Sequence, residues 1–213
     1  MEILFASANR HKFREVHRIM ADCGIQVVGL SDSDDLAALP APVEEGRTFA
    51  ENARIKAVYY ARAAGRFCVA DDSGLEVDAL GGTPGVRSAR YAGEGGTPAE
   101  RDKANNTRLL SALKGVPAER RRARFVCVMC LSDPGGRVVA ETRGTFGGRI
   151  AESPAGDNGF GYDPLLFLPD QGRTSAQLSP EEKNARSHRG EAARAMAVRI
   201  KALMEGQSGG GGT

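Results

Sequence analysis

The sequence predicts an α/β fold, a mixed twisted sheet flanked by helices, and three observations carry the prediction. Early in the chain, apolar runs of strand length alternate with amphipathic stretches, the pattern of parallel strands joined by helices. Two later runs flank a Pro-Gly-Gly turn and read as a hairpin, which makes the sheet mixed. Two capping boxes, Thr48-Phe49-Ala50-Glu51 and Thr97-Pro98-Ala99-Glu100, mark helix starts through short-range hydrogen bonding alone.

Taken in order, residues 2–6 (EILFA) are the first expected strand. A helix follows, with Phe13, Val16, Ile19, Met20 and Cys23 on one stripe, and then a second strand at 25–29. Residues 31–42 are polar and carry prolines, so they read as a loop. The helix opened by Thr48 should run to about Ala64. Phe67-Cys68-Val69-Ala70 reads as a buried strand ending at Asp71-Asp72, with a Ser73-Gly74 turn after it. Residues 75–80 form a further short strand or a continuation of that one. Six of the 27 glycines (Gly81, Gly82, Gly85, Gly93, Gly95 and Gly96) fall within 81–96, so this stretch is expected to be long and irregular. The helix opened by Thr97, with Pro98 at its first position, extends to about Leu113. Residues 124–131 and 137–145 form the hairpin around Asp133-Pro134-Gly135-Gly136. A second Gly-rich loop spans 153–164, Ser179-Pro180-Glu181-Glu182 opens a short helical turn, and 191–204 is the last helix. Residues 206–213 (GQSGGGGT) read as a flexible tail, which leaves 1–205 as one domain without a clear linker.

Bulk composition excludes several classes. The balance of 29 basic and 27 acidic residues lacks the strongly basic face of a duplex-binding protein. No apolar stretch approaches the ~20 residues that cross a membrane. Residues 1–8 have no basic head and apolar core of a signal peptide, so a cytoplasmic location is expected. Of the four cysteines, Cys127 and Cys130 have a metal-like spacing, but they sit in the strand-like run 125–131, where side chains three apart face opposite ways. No second Cys pair is present, so both read as core thiols.

The Asp71-Asp72 pair carries the strongest chemical signal. Two adjacent carboxylates beside a buried run are costly unless a cation neutralises them. A hard divalent ion such as Mg²⁺ prefers carboxylate oxygens and bridges to substrate phosphates. Ser7-Ala8-Asn9-Arg10-His11-Lys12 lies between a strand and a helix, where backbone N–H groups bind anions. On these residues alone, simple capping by Ser7 or Asn9 with Lys12 in solvent is the stronger reading. The spacing is not that of a Walker P-loop. Glu44, Glu45, Glu51, Asn52 and Lys56 read equally as a cleft lining or as a solvated helix face. Gly159-Phe160-Gly161-Tyr162-Asp163-Pro164 places aromatics between glycines, a pattern suited to stacking on a base and reading its edge. The other reading of that loop is a tight turn with Phe160 in the core. Lys183 to Gly190 places three cations and a histidine ahead of the last helix, and taken alone His188 is better read as a surface residue. Arg120-Arg121-Arg122 is expected to face solvent.

Together these segments resemble one family. Ser7-x-Asn9-x-x-Lys12, Glu51-Asn52-Ala53 with Lys56-Ala57, Asp71-Asp72-Ser73-Gly74-Leu75, Gly85-Val86-x-Ser88-Ala89-Arg90-Tyr91, Gly159 to Pro164 and Ser187-His188-Arg189-Gly190 occur in the right order. The chain is similar over about residues 3–203 to the inosine triphosphate pyrophosphatases, also called dITP/XTP pyrophosphatases. The resemblance implies an elongated α/β fold of two lobes with a substrate cleft. It implies a homodimer and Mg²⁺, one ion per subunit, with Mn²⁺ as an alternative. It also implies hydrolysis of ITP, dITP and XTP to the monophosphate and pyrophosphate, which clears deaminated purines from the nucleotide pool. By motif, the segment Ser7, Ala8, Asn9, Arg10, His11 and Lys12 would hold the triphosphate with Lys56. Asp72 would be the catalytic acid/base near the metal, with Asp71 beside it, and Glu44 a further ligand, Glu45 being the alternative. Ser73 would contact substrate. Phe160 would stack on the base, with Gly161, Tyr162 and Asp163 completing that wall, and Lys183, His188 and Arg189 would read the purine.

Two other classes compete. A non-catalytic nucleotide sensor on the same fold would have no need of so costly an acidic pair. A nucleic-acid binder using 120–124 and 183–189 is disfavoured by the near-neutral charge and the low aromatic content, 6%.

Overall fold

The computed structural model describes residues 2–208. Its strands are β1 (Ile3–Phe5), β2 (Val27–Gly29), β3 (Cys68–Val77), β4 (Arg122–Ser132), β5 (Val138–Ile150), β6 (Leu166–Leu168) and β7 (Arg173–Thr174). Its helices are α1 (Arg10–Asp22), α2 (Asp34–Ala37), α3 (Phe49–Ala64), α4 (Pro98–Ala112), α5 (Pro180–Arg186) and α6 (His188–Ser208). The strands hydrogen-bond in the order β2-β1-β3-β4-β5-β6-β7. β1 runs parallel to β2 and β3, whereas β6 is antiparallel to β5 and β7, so the sheet is mixed as expected.

The chain forms two compact units. Among the described residues, the first comprises 2–72, Cys127–Gly144 and 189–208; the second comprises Ser73–Val126 and Thr145–His188. In the first unit α1 buries Val16, Ile19 and Met20, the stripe its periodicity predicts. They pack with Ile3, Phe5, Val69, Met129, Met196 and Ile200. Each such side chain contributes about 1.5–3 kcal/mol on burial. In the second unit α4 buries Leu109 against Leu75, Val77, Leu113, Phe125, Phe146 and Leu165. The capping boxes form as predicted: Thr48 Oγ1 accepts the Glu51 N–H and Thr97 Oγ1 accepts the Glu100 N–H. Ser179 and Glu182 do the same for α5.

Four expectations are corrected. Asp71-Asp72-Ser73-Gly74 is not a strand end followed by a turn, because β3 continues through it to Val77. The glycine serves a close approach instead: a Cβ at Gly74 would collide with Ser88 Oγ and lie 2.6 Å from Gly85 O. Ser88 Oγ accepts the Leu75 N–H at 2.8 Å and donates to Gly85 O at 2.6 Å. Second, the segment expected as a loop at 31–42 contains the helical turn α2, which buries Leu36. Third, His188 and Arg189 are not ahead of the last helix but in its first turn. Fourth, Arg121 is not solvent-facing. It is 7% exposed and donates to the carbonyls of Val116, Leu113 and Ala151, two of them just past the end of α4 or at its cap. Arg120 and Arg122 are exposed, as expected.

Helix α6 runs on to Ser208, so the first part of the expected tail is helical; residues 209–213 lie outside the described residues. Cys127 and Cys130 are buried in β4, and burial pushes both thiols well up, Cys130 to about 12. At that value neither is a nucleophile near neutral pH.

Candidate active site

Each unit carries one cluster of predicted site residues. The first begins at the start of α1. Asn9 is the N-cap, and its Oδ1 accepts the N–H groups of His11 at 2.9 Å and Lys12 at 3.2 Å. Ser7 Oγ accepts the Asn9 N–H at 3.3 Å. The capping reading therefore holds for Asn9, but Lys12 does not extend into solvent. Its Nζ lies 3.0 Å from Asp71 Oδ2. Ala8, Arg10 and His11 are exposed, and the first turn of α1 carries no acid, so its dipole faces outward without an acidic side chain to offset it.

Asp71 and Asp72 point to opposite sides of β3 and end in different surroundings. Asp71 is 1% exposed. Its Oδ2 meets Lys12, lies 3.5 Å from Arg189 Nε and 3.8 Å from the Cys127 thiol. Burial pushes its pKa up, but Lys12, Arg189 and Lys56 outweigh that and hold the carboxyl below the usual range. Its Oδ1 is buried and has no hydrogen-bond partner among the described residues. Asp72 is half-buried. Its Oδ2 accepts from Asn52 Nδ2 at 3.1 Å and its Oδ1 lies 3.6 Å from Lys56 Nζ. Here burial outweighs the Lys56 and Lys12 charges, so its pKa is raised.

Lys56 Nζ also pairs with Glu44 Oε2 at 2.7 Å, whereas Glu45 is exposed. Burial works against the ammonium, yet Asp72, Asp71 and Glu44 together raise its pKa, so it stays charged. Glu51 is used locally, accepting the N–H groups of Arg47 and Thr48. Of the two readings open for Asn52, the cleft lining holds. Asn52 is 2% exposed, and its Oδ1 accepts the Gly46 N–H at 2.8 Å, so one amide ties the Glu44 loop to Asp72. A side chain at Gly46 would strike that amide, with a Cβ 2.5 Å from its oxygen. Sequence reasoning missed Glu15; it pairs with Arg189 at 2.5 Å. Its partner lies 174 residues away, and nothing local marks it.

Carboxylate oxygens, the donor type present here, are those a hard divalent ion such as Mg²⁺ prefers. Asp72 and Glu44 converge on one ammonium, and Asp71 adds a buried oxygen with no hydrogen-bond partner among the described residues. The described residues contain no cluster of three or more metal-ligating side chains.

The second cluster surrounds the Gly-rich loop. Phe160 is half-exposed rather than tucked into the core. Asp163, 2% exposed, organises the loop: Oδ2 accepts the Phe160 N–H at 2.9 Å and Lys183 Nζ at 2.6 Å, and Oδ1 accepts the Ser175 hydroxyl at 2.8 Å. The Lys183 ammonium also lies 5.1 Å from the Phe160 ring centroid. Tyr162 is buried, and its hydroxyl donates to Ser88 O at 2.8 Å. Asn158 donates to Leu178 O at 3.0 Å. His188 is 5% exposed and stacks on Phe125, with centroids 5.0 Å apart and planes at 22°. Ser73 is half-buried on β3. Arg189 belongs to the first unit, where it meets Glu15 and Asp71.

A mixed α/β sheet with a strand-borne acidic pair, two lysines and a capped helix start defines a protein equipped for phosphate esters or anhydrides. A family model described as the Ham1 family matches residues 3–199. The dITP/XTP pyrophosphatase of Geobacillus kaustophilus is 49% identical over 191 residues, 90% of each chain. That of Nitratidesulfovibrio vulgaris is 51% identical over 197 residues, 90% of this chain and 92% of the relative. The Ham1 protein of Staphylococcus aureus superposes with a TM-score of 0.81 at 40% identity, covering 95% of this chain and all of the other. The chain belongs to the Ham1 family.

Proposed function

We propose that this protein is a Mg²⁺-dependent pyrophosphatase that hydrolyses dITP, XTP and ITP to the nucleoside monophosphate and pyrophosphate. The relatives' shared activity supports this. The observation that carries it is the divergence of two adjacent aspartates: Asp71 held ionised by Lys12 and Arg189, Asp72 held at a raised pKa beside Lys56 and Asn52. One carboxylate anchors cations while the other is tuned for proton transfer.

In this reading the start of α1, with Ser7, Asn9, Lys12 and Lys56, binds the phosphates through N–H groups and ammonium charges. Asp72 and Glu44, with Asp71 beside them, would hold Mg²⁺, which when bound would supply neutralisation of phosphate charge. Asp72 takes a proton from the attacking water. The water oxygen bonds to phosphorus, the bridging P–O bond between the α- and β-phosphates breaks, and the departing phosphate group leaves with the bond electrons, giving monophosphate and pyrophosphate. Phe160 stacks on the purine, and Lys183 and His188 offer donors to an oxygen at position 6. Adenine presents an amine there, which leaves a donor facing a donor. The resemblance supports a homodimer. No described helix is long and apolar enough to cross a membrane, and that together with the composition supports a cytoplasmic location and no nucleic-acid polymer as partner.

The test is a substrate panel with Mg²⁺, followed by pyrophosphate and orthophosphate assays. Pyrophosphate from dITP, XTP and ITP, little from dATP, and loss of turnover in EDTA are expected. Tight binding of ITP without product would mean that the chain only binds nucleotides.

A further inference from the structure

We infer that Asp102 and Asn106 of α4 are positioning residues for base recognition, gripping the Gly161 peptide and thereby setting the pose of Phe160. The inference rests on the proposed assignment of Phe160 to the purine. Phe160 lies between Gly159 and Gly161, whose φ angles are +80° and +62°. Two glycines in the left-handed region give a phenylalanine no stiff backbone to aim it. Hydrogen bonds must do so. Two are local, from the Phe160 N–H to the Asp163 carboxylate and from the Asp163 N–H to Phe160 O. The other two come from a helix distant in sequence. Asp102 Oδ2 accepts the Gly161 N–H at 2.7 Å, and Asn106 Nδ2 donates to Gly161 O at 3.0 Å.

The pairing is specific in chemistry. Residues four apart share a helix face, so Asp102 and Asn106 reach the N–H and the C=O of one residue, Gly161, and so hold the peptide units on both sides of its Cα. The N–H needs an acceptor and the C=O a donor, and the carboxylate and amide supply them in that order. The contact from Asp102 is charge-assisted, hence the stronger of the two. Both side chains are half-buried, while the neighbouring Leu109 and Asn105 are fully buried on α4. The helix thus packs with one face and holds the base-side loop with another.

Calorimetry on the full chain tests this without turnover, with IMP and inorganic pyrophosphate as probes in the presence of Mg²⁺. Losing a hydrogen bond to a charged group costs about 1.5 kcal/mol, so Asp102→Ala should weaken IMP binding about tenfold. Asn106→Asp, which keeps the shape but sets an acceptor against an acceptor, should do likewise and guards against a folding defect in the first variant. Asp102→Asn retains an acceptor oxygen and should restore most of the affinity. Pyrophosphate binding should stay within about twofold of wild type in every case, since a purely structural defect would lower both. If Phe160→Ala loses IMP affinity while Asp102→Ala or Asn106→Asp keeps it, that residue has no positioning role and the base assignment survives. Unchanged IMP binding in Phe160→Ala overturns the base assignment and this inference with it. Equal losses for both probes overturn the positioning role.

Discussion

Asp71 and Asp163 are 1% and 2% exposed, and each faces a buried or nearly buried cation, yet their surroundings differ. Asp163 has both oxygens filled, by Lys183, Ser175 and the Phe160 N–H. Asp71 crowds its cations onto Oδ2 and leaves Oδ1 with no hydrogen-bond partner among the described residues. A filled network locks one geometry; an incompletely filled one keeps capacity for a ligand. The Asp163 network is therefore built to hold a loop still, and the Asp71 cluster keeps one oxygen unused.

The largest expected effect is at Asp72. Asp72→Asn keeps the bond to Asn52 within reach of an amide flip but removes the proton acceptor, and kcat should fall about 10²–10⁴-fold with the thermal midpoint little changed. Near-wild-type turnover in that variant would remove Asp72 from catalysis. Next, the two lysines should separate. Lys183→Met strands a buried carboxylate and should cost about 3–5 kcal/mol in urea unfolding. Lys12→Met leaves Asp71 with Arg189 and should cost clearly less, while KM for the triphosphate rises. Equal stability losses would erase the contrast between the clusters.

Phe160→Ala should leave stability nearly unchanged, because the ring is half-exposed. Its loss should raise KM for dITP by about five- to a hundredfold, the range of one base–aromatic stack of ~1–3 kcal/mol. The smallest and most diagnostic effect is in pH. Asp71 has a depressed pKa in the folded state, so its stabilisation is complete above the unfolded value of about 3.9 and disappears as pH falls through the folded one. The stability gap between wild type and Asp71→Asn should accordingly narrow below about pH 4 in urea titrations. Burial raises Asp72, so the acid limb of kcat/KM should lie above about pH 4, and a limb at or below it would contradict the proton-acceptor role.

Much of the fold is readable from the chain because its signals are local. The capping boxes at Thr48 and Thr97 connect residues three apart, and the α1 stripe repeats within turns, so both survive without knowledge of partners. Residues 71–74 misled for the complementary reason. Ser-Gly after two acids has turn chemistry, and only the approach of Ser88 explains why glycine stands inside a strand. Arg121 looks like one charge among three until three carbonyls are found around it.

The sequence by itself determined most of the longer elements, most helix starts, the presence of the acidic pair and the family those motifs resemble, but not α2, β6 or β7. Tertiary structure alone decided which aspartate is held charged and which is raised, that Asn52 and Glu15 join the acidic cluster, and that α4 grips the aromatic loop. The physical reason is range. Capping and periodicity act within one or two turns, whereas desolvation and charge pairing depend on groups that meet only after folding, such as Asp102 and Gly161, 59 residues apart.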